Sequence, residues 1–388
     1  MRSGVFNFLA QDRVRFGVPA AEGICAEAAQ RGAQRLFVVT SRSLNRNTRA
    51  VQDALRPVQD KVVGLFDECI EHTPRDTVIA LARRLRETRA DLIVSIGGGT
   101  VIDTVKVALV CLAEGVDDVD AMSSWHMRVD ADGTRITPQP RVPPCRQIAV
   151  PTTLSGAEFS DLGGCTDTRN GTKQGYTGSH VGAAAVILDP RITLHTPQQL
   201  WLSTGVRALD HAVESLCSIN AQPLVDATSV RALSLLSSAL TRYATEPGDL
   251  DARLDAQMGA WLASTGIRRT DYGASHGLGH ALGADAGVPH GITSCVLLPT
   301  VMRYNAAACA PQLAEVAAAL GHAREPAADQ IEALIARLGL PTRIGQLGIE
   351  RSRLAVIAEK GMANPWVRSN PRTIEHADQL LEILEAAW

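Results

Sequence analysis

The chain of 388 residues is longer than one hydrophobic core normally supports, so we expect two domains. Its hydrophobic content of 45% and charged content of 20% are ordinary for a globular protein. A net charge of -3 with no dense basic run excludes an obvious nucleic-acid partner, and no segment is long and apolar enough to predict a membrane span. The N-terminus has no secretory pattern, and the eight cysteines show no CxxC spacing. These features predict a cytoplasmic protein with reduced thiols.

The first half of the chain alternates β-branched runs with helical patterns, which is typical of βα units around a mainly parallel sheet. Apolar residues at helical spacing predict a helix over residues 76–88. Residues 117–144, rich in charges and prolines, are predicted to form a surface excursion. The predicted strands cover residues 36–40, 62–66, 92–96, 147–150 and 185–189.

The pattern changes after residue 190. Strand-like runs almost disappear, and helical patterns extend from about residue 199 to the end, with a glycine-rich interruption at 273–291. We therefore expect an α/β domain over residues 1–190 and an all-helical domain over residues 191–388.

A glycine-rich segment follows the predicted strand 92–96. Consecutive glycines let the backbone approach a pyrophosphate, and the free N–H groups of the next helix favour its negative charge. The order is not GxGxxG, and a plain tight turn is the alternative interpretation. The residues concerned are Gly97, Gly98, Gly99 and Thr100.

A second polar turn follows the predicted strand 147–150. The hydroxyls of Thr152, Thr153 and Ser155 are suited to bind a nicotinamide or a phosphate. The alternative is a helix N-terminus, because Ser155 followed by Glu158 matches a capping box. Both interpretations can hold together, since a cap and an anion site use the same N–H groups.

Histidines cluster at two places in the helical half. Arg207 and His211 share one face of a predicted helix, opposite a buried apolar stripe. His276 and His280 lie in an HxxxH spacing, which places two imidazoles on one helical face, and His290 follows shortly after. Three histidines among glycines favour a functional site, as metal ligation or proton transfer would require.

Together these motifs resemble the iron-containing (group III) alcohol dehydrogenase family, and within it the maleylacetate reductase branch. The resemblance covers nearly the whole chain, from residues 13–17 through His72-Thr73-Pro74 to residues 364–372. Val288-Pro289-His290-Gly291 is its most specific motif. The resemblance implies a Rossmann-like N-terminal domain that binds a dinucleotide, an all-helical catalytic domain, and a homodimer.

The resemblance also implies roles for the residues of the two polar turns. The glycine segment with Thr100 would hold the pyrophosphate, with Asp103 on the same loop and helix. Thr152, Thr153 and Ser155 would line the nicotinamide side, and Lys173 would reach the cofactor.

The catalytic residues implied by the resemblance are Arg207, His211, His276, His280 and His290. His211, His276 and His290 stand where metal-dependent relatives keep their histidine ligands, and His280 would donate a proton or contact the substrate. Those relatives have an Asp ligand where this chain has Arg207, and a guanidinium there repels a cation. No metal is therefore expected, in agreement with maleylacetate reductases, which also lack that Asp.

The turn after strand 36–40 bears on the choice of cofactor. The family often has an acidic residue there that binds the adenosine ribose, whereas this chain has Ser41 followed by Arg42. Without a carboxylate at this turn, NADPH should be tolerated as well as NADH.

The sequence thus predicts an NAD(P)H-dependent, metal-independent reductase of a small anionic oxo acid or enone such as maleylacetate. Arg207 would bind the substrate or stabilise its developing negative charge, although a salt bridge to Asp210 or Glu214 is the alternative role. One rival is a metal-dependent alcohol dehydrogenase or aldehyde reductase with His211, His276 and His290 as ligands. The other is a lyase-type enzyme or a non-redox nucleotide-binding protein on the same scaffold.

Overall fold

The computed structural model describes residues 5–129 and 134–388. The chain forms two compact units, one of residues 8–196 and one of residues 197–388 together with the segment that ends at Asn7. The sequence placed the boundary near residue 190. The structure keeps the short 3-10 helix Ile192–His195 in the first unit, where the Thr196 hydroxyl donates to the carbonyl of Thr152 at 2.7 Å.

The first unit is built on a six-stranded sheet in which every pairing is parallel. The strand order is β1-β10-β7-β4-β2-β3. Helices cover both faces, so the central strands are buried along almost their whole length. This confirms the predicted α/β fold with a mainly parallel sheet. The strands are β1 Arg13–Phe16, β2 Leu36–Thr40, β3 Val62–Phe66, β4 Leu92–Gly97, β5 Arg128–Val129, β6 Arg135–Ile136, β7 Arg146–Pro151, β8 Leu162–Asp167, β9 Thr172–Thr177 and β10 Ala185–Leu188.

Two apolar clusters occupy the two faces of this sheet. On one face, Ile24 and Val51 pack with the inward side chains of the strands. On the other, Val78, Leu81 and Val105 pack in the same way. The helices of this unit are α1 Ala20–Gln30, α2 Arg42–Asn47, α3 Ala50–Leu55, α4 Arg75–Thr88 and α5 Gly99–Glu114.

Three local predictions in this unit need correction. The edge strand β1 was missed, because two arginines alternate with its apolar residues and pair with the buried Glu27 instead of joining the core. The hairpin β8–β9 was also missed. The last strand ends at Leu188, since Asp189 turns away and its carboxylate accepts from the N–H of Ala20 at 2.7 Å.

The predicted surface excursion over residues 117–144 is only partly at the surface. Met122 is fully buried in the core, and the carbonyl of Val119 accepts from the buried guanidinium of Arg75 at 2.7 Å. Within the excursion, residues 130–133 lie outside the described part of the chain.

The second unit is helical, as predicted. Among its described residues every regular element is a helix. The α-helices are α6 Gln198–Leu216, α7 Pro223–Thr245, α8 Leu250–Ala263, α9 Ala274–Ala286, α10 His290–Tyr304, α11 Ala310–Ala319, α12 Ala327–Arg337, α13 Leu354–Gly361, α14 Pro365–Arg368 and α15 Ala377–Ala387.

All eight cysteines are free thiols, in agreement with the prediction. Among the described residues, no helix is both long and apolar enough to cross a bilayer.

Candidate functional site

The two polar turns of the first unit lie side by side. They follow β4 and β7, which pair in parallel with Gly97 opposite Pro151. The N–H of Thr152 donates to the carbonyl of Gly97 at 3.0 Å, so the turns are joined directly. Ligands of open parallel sheets bind at the carboxyl ends of the strands, and both turns lie at that edge.

The glycines are required here by close packing between the turns. A Cβ built on Gly98 would lie 2.9 Å from Cγ2 of Thr153, and one on Gly99 would lie 3.0 Å from Oγ of Ser155. None of the three glycines has a positive φ, so the need is for space and not for a left-handed backbone. Thr100 lies in the first turn of α5, immediately beyond this contact.

The capping-box interpretation of Ser155 and Glu158 is wrong. Gly156 adopts a left-handed conformation with φ of 72°, and only the three-residue 3-10 helix Ala157–Phe159 follows it. The side chain of Glu158 is instead buried, and its Oε2 has no hydrogen-bond partner among the described residues. Burial raises the pKa of Glu158 to about 7.

Asp103 connects α5 to the hairpin β8–β9. Its Oδ2 accepts from the N–H of Gly164 at 3.0 Å, and its Oδ1 accepts from the ammonium of Lys106 at 3.0 Å. Lys106 is itself buried and also donates to the carbonyl of Leu162 at 2.8 Å. Lys173 lies on β9 beside Gly164, with its side chain exposed. These contacts give Asp103 a packing role, and a cofactor role for Asp103 or Lys173 stays a prediction.

The turn at Ser41 does have a carboxylate nearby, contrary to the prediction. Ser41 caps α2 by accepting from the N–H of Leu44 at 3.3 Å and forms a bridge with Glu68. Asp67, at the end of the neighbouring strand β3, accepts from both Nε and Nη2 of Arg46 at 2.9 and 3.2 Å. These bonds hold the pKa of Asp67 below its usual range, so the carboxyl is ionised.

In the second unit, α6 is buried on both faces. The apolar stripe predicted on one face is present, but Arg207 and His211 on the other are buried as well, with 9% and 7% exposure. The reason is that α6 packs against α7, α8 and α10, so neither face meets solvent. The two polar side chains therefore point into the interior of this unit.

An aromatic stack connects the two histidine groups. The ring of Tyr272 lies 4.0 Å from that of His276 and 5.5 Å from that of His211, measured between centroids. His211 and His276 are 5.0 Å apart, and the indole of Trp366 meets His276 edge-on at 5.6 Å. The two histidine segments predicted separately thus form one cluster.

His280 and His290 extend this cluster. Their rings are 5.3 Å apart, and His280 lies 4.7 Å from the indole of Trp366. The amide of Asn364 lies 3.4 Å from Nδ1 of His280. Both histidines are half-buried, in contrast to His211 and His276.

Arg207 belongs to a buried polar network around Asp210. Its Nη1 donates to Oγ of Ser294 at 3.0 Å and lies 3.4 Å from Oδ2 of Asp210. The hydroxyls of Ser294 and Ser275 donate to the same Oδ2 at 2.6 and 2.9 Å. The predicted salt bridge to Asp210 therefore exists, although it is long. Burial raises the pKa of Asp210, and Arg207 opposes this effect.

Glu214 orients His276. Its carboxylate accepts from the N–H groups of Gly273, Ser275 and His276 at 2.9, 2.8 and 3.3 Å, at the start of α9. Nδ1 of His276 shares a hydrogen bond of 2.8 Å with the same carboxyl group, which turns Nε2 away from it. A Cβ on Gly273 would come within 3.0 Å of this carboxylate, so glycine is needed there.

His211 and His276 are neutral. Burial and the positive charge of Arg207 hold the pKa values of both His211 and His276 well below the usual range. Nδ1 of His211, Nε2 of His276 and Oδ1 of Asp210 have no hydrogen-bond partner among the described residues. Buried polar atoms of this kind normally bind something, which points to a ligand.

A divalent metal does not fit these donors. Among the described residues, the candidate group is Asp210, Glu214 and His276. The oxygens of Glu214 are already used by N–H donors, and the 2.8 Å between Nδ1 of His276 and Glu214 is a hydrogen-bond distance. Two ligands of a tetrahedral zinc ion lie about 3.4 Å apart. The histidine set His211, His276 and His290 instead has the buried cation Arg207 beside it.

Several residues of the site were missed in the sequence. Strand pairing would have revealed Asp67, because parallel neighbours end at the same edge of the sheet. Asp210 and Glu214 were predicted only as alternative salt-bridge partners of Arg207, and the contact of Glu214 with His276 was not predicted. The other missed residues are Lys106, Tyr272, Ser275, Ser294 and Trp366, which no local pattern distinguishes from packing residues.

Two family models match the chain. The model described as iron-containing alcohol dehydrogenase matches residues 11–190. The model of the C-terminal part of the Fe-containing alcohol dehydrogenase family matches residues 201–388.

Curated relatives cover nearly the same span. Dehydrogenase ALT3 of Alternaria alternata is 34% identical, covering 92% of this chain and 99% of its own length. A maleylacetate reductase of Burkholderia cepacia is 30% identical, covering 97% and 95%. Among solved structures, a maleylacetate reductase of Rhizobium sp. strain MTP-10005 matches with a TM-score of 0.83 at 28% identity, covering 100% of this chain and 99% of that one.

Proposed function

Because the chain belongs to the iron-containing alcohol dehydrogenase family, whose members are oxidoreductases, we propose that it reduces a small anionic oxo acid or enone with NAD(P)H and without a metal. The observation that carries this proposal is the buried guanidinium of Arg207 beside His211 and His276. Maleylacetate is the specific substrate we propose, because relatives that cover nearly the whole chain are maleylacetate reductases.

The dinucleotide is assigned to the first unit. The glycine segment after β4 leaves its backbone open at the carboxyl edge of the sheet, where α5 begins with a favourable dipole. The packed hydroxyls of Thr152, Thr153 and Ser155 border the same edge. This arrangement supports a pyrophosphate on the glycine segment and the nicotinamide toward the threonine turn.

The metal-free part of the proposal rests on charge. A divalent cation beside Arg207 would be repelled by several kcal/mol, on the order of 4 kcal/mol per unit charge at 4 Å and an effective dielectric of 20. Of the carboxyl oxygens that could offset this repulsion, Oδ2 of Asp210 is engaged by Arg207 and two hydroxyls, and both oxygens of Glu214 are engaged by N–H donors.

Arg207 is assigned to the substrate carboxylate. Among the described residues, only its Nη1 has hydrogen-bond partners, Ser294 and Asp210, and a guanidinium carries five N–H donors, so a bidentate pair with a carboxylate can form. The contact between Arg207 and Asp210 is long, at 3.4 Å, so an anionic substrate would further neutralise the positive charge of Arg207. A neutral aldehyde gains nothing from this pairing.

The chemical step is a hydride transfer from the reduced nicotinamide to an electrophilic carbon. The substrate becomes an alkoxide or an enolate, and one proton completes the reduction. His280 is the better proton donor, because His211 is held neutral by burial and by Arg207 and is therefore a weak acid. Asn364 at Nδ1 of His280 fixes the ring orientation.

Steady-state oxidation of NADH and NADPH by chelator-treated protein tests this function, with maleylacetate and a small panel of oxo acids as substrates. We expect turnover with an anionic carbonyl compound and no loss of activity after EDTA. Loss of activity with EDTA and recovery with zinc or iron would show that the metal-free mechanism is wrong.

A further inference from the structure

A cation and a carboxylate meet at the carboxyl end of β3, two strands along the sheet from the glycine segment. Nε and Nη2 of Arg46 donate to Oδ2 and Oδ1 of Asp67, and the amide of Asn45 donates to Oδ2 at 3.0 Å. The side chain of Asp67 is 10% exposed, whereas that of Arg46 is 58% exposed. The carboxylate is therefore fixed at the base of the cluster, and the guanidinium faces solvent above it.

The sheet places this cluster where an adenosine ribose would lie. β2 pairs with β4 on one side and with β3 on the other, so Ser41 follows the strand next to the glycine segment and Asp67 follows the strand beyond it. Neighbouring strands are about 4.8 Å apart, so an adenosine ribose that extends along the sheet edge from a bound pyrophosphate meets Ser41 after one spacing and Asp67 after two, about 10 Å away. In dinucleotide folds, residues at this position bind the 2′ substituent of the ribose.

We propose that the Arg46–Asp67 pair sets the selectivity between the 2′-phosphate of NADP(H) and the 2′-hydroxyl of NAD(H), an inference that rests on the proposed nicotinamide dependence. The carboxylate of Asp67 accepts a hydrogen bond from a free 2′-hydroxyl, and the hydroxyl of Ser41 donates to it or accepts from it. Arg46 receives a 2′-phosphate through its exposed guanidinium. Neither cofactor is excluded, because each charge neutralises the other.

Substitutions of Arg46 and of Asp67 should shift the selectivity between NADP and NAD in opposite directions. Removing Arg46 exposes the carboxylate of Asp67 to the phosphate and removes its cationic partner, so NADP binding should weaken. Neutralising Asp67 releases Arg46 and removes an acceptor for the 2′-hydroxyl, so selectivity should move toward NADP. A purely structural salt bridge would not produce shifts of opposite sign.

Calorimetric titration with NAD⁺, NADP⁺, 5′-AMP and 2′,5′-ADP provides the test, because the last two probes differ only in the 2′-phosphate. The variants are Arg46→Ala and Asp67→Asn. Arg49→Ala is the matched control, because Arg49 is an exposed arginine on the next turn that makes none of the contacts to Asp67.

We expect Arg46→Ala to weaken NADP⁺ and 2′,5′-ADP by about tenfold or more, while NAD⁺ and 5′-AMP change by less than about threefold. Asp67→Asn should raise the ratio of NADP⁺ to NAD⁺ affinity, and Arg49→Ala should leave that ratio unchanged. Equal effects of Arg46→Ala on both dinucleotides would overturn the selectivity role and leave the proposed function intact. Failure of the unmodified protein to bind either dinucleotide would overturn both.

Discussion

The guanidinium of Arg207 is buried, and the polar side chains of Asp210 and Ser294 contact it. Asp210 lies one helical turn further along α6 and accepts from Arg207, Ser275 and Ser294. The carboxylate is fully buried, so its charge depends on these three donors. Arg207 and Asp210 therefore form a unit in which removing one member leaves the other uncompensated.

Arg207→Ala should lower the free energy of unfolding by about 1–3 kcal/mol near neutral pH, because Asp210 loses its cationic partner. Burial already raises the pKa of Asp210, and the variant lacks the charge that opposes this shift. A carboxyl whose folded pKa is raised loses stability as pH rises, so the deficit should grow above the ordinary carboxyl pKa of about 4.

Urea denaturation of Arg207→Ala and of Arg207→Ala/Asp210→Asn at pH 5 and pH 8 measures this effect. The double variant should recover part of the loss at pH 8, because position 210 no longer carries a buried charge without its cationic partner. A single variant as stable as the unmodified protein at both pH values would contradict the coupling.

Glu158 gives a second prediction at the residue scale. Its pKa of about 7 lies above the usual 4.5, so the folded state holds the proton more tightly than the unfolded chain. The free energy of unfolding should therefore fall between about pH 4.5 and pH 7, by about 3 kcal/mol from this group alone. Glu158→Gln should remove this dependence and become the more stable protein toward pH 8.

The matched control is Glu87→Gln, an exposed carboxyl on α4. Denaturation curves for the three proteins across this pH range should separate only for Glu158→Gln. Curves that stay parallel would mean that Glu158 is ionised without penalty.

At the scale of elements, the predictable parts were those in which burial is periodic or continuous. β2 and β4 are buried along their whole length and mostly apolar because helices cover both faces, so their runs were recognisable. β1 was not, because Arg13 and Arg15 interrupt it and its position at the sheet edge leaves one side without a strand neighbour. The capping box predicted at Ser155 was also wrong, because Ser155 packs against Gly99, and this tertiary contact is not visible in the local motif.

Gly98→Ala should weaken dinucleotide binding by about tenfold or more. The new Cβ would meet Cγ2 of Thr153 at 2.9 Å and force the two turns apart, with a stability cost of about 1–3 kcal/mol. Gly248→Ala is the control, because a Cβ there meets nothing within 4 Å. Fluorescence titration with NADPH compares them, and equal affinity of both variants would argue against close packing as the reason for the glycine segment.

At the scale of the whole molecule, the candidate site depends on contacts that are distant in sequence. The bond from His276 to Glu214 spans 62 residues, and that from Ser294 to Asp210 spans 84. Histidine spacing identified the participants His211, His276, His280 and His290, because residue type and periodicity are local properties. Which nitrogen faces a carboxylate, and which carboxylates are already engaged, follows only from the packing of α6, α9 and α10.

The central claim is that Arg207 replaces a metal by binding the carboxylate of the substrate. The most direct measurement compares kcat/KM for an oxo acid and for a neutral aldehyde of the same chain length, in chelator-treated unmodified protein and in Arg207→Ala. The account predicts a loss of about a hundredfold on the oxo acid, equivalent to about 3 kcal/mol, and a loss of less than about fivefold on the aldehyde. Equal losses on both substrates, or none on either, would contradict it and leave Arg207 as a structural partner of Asp210.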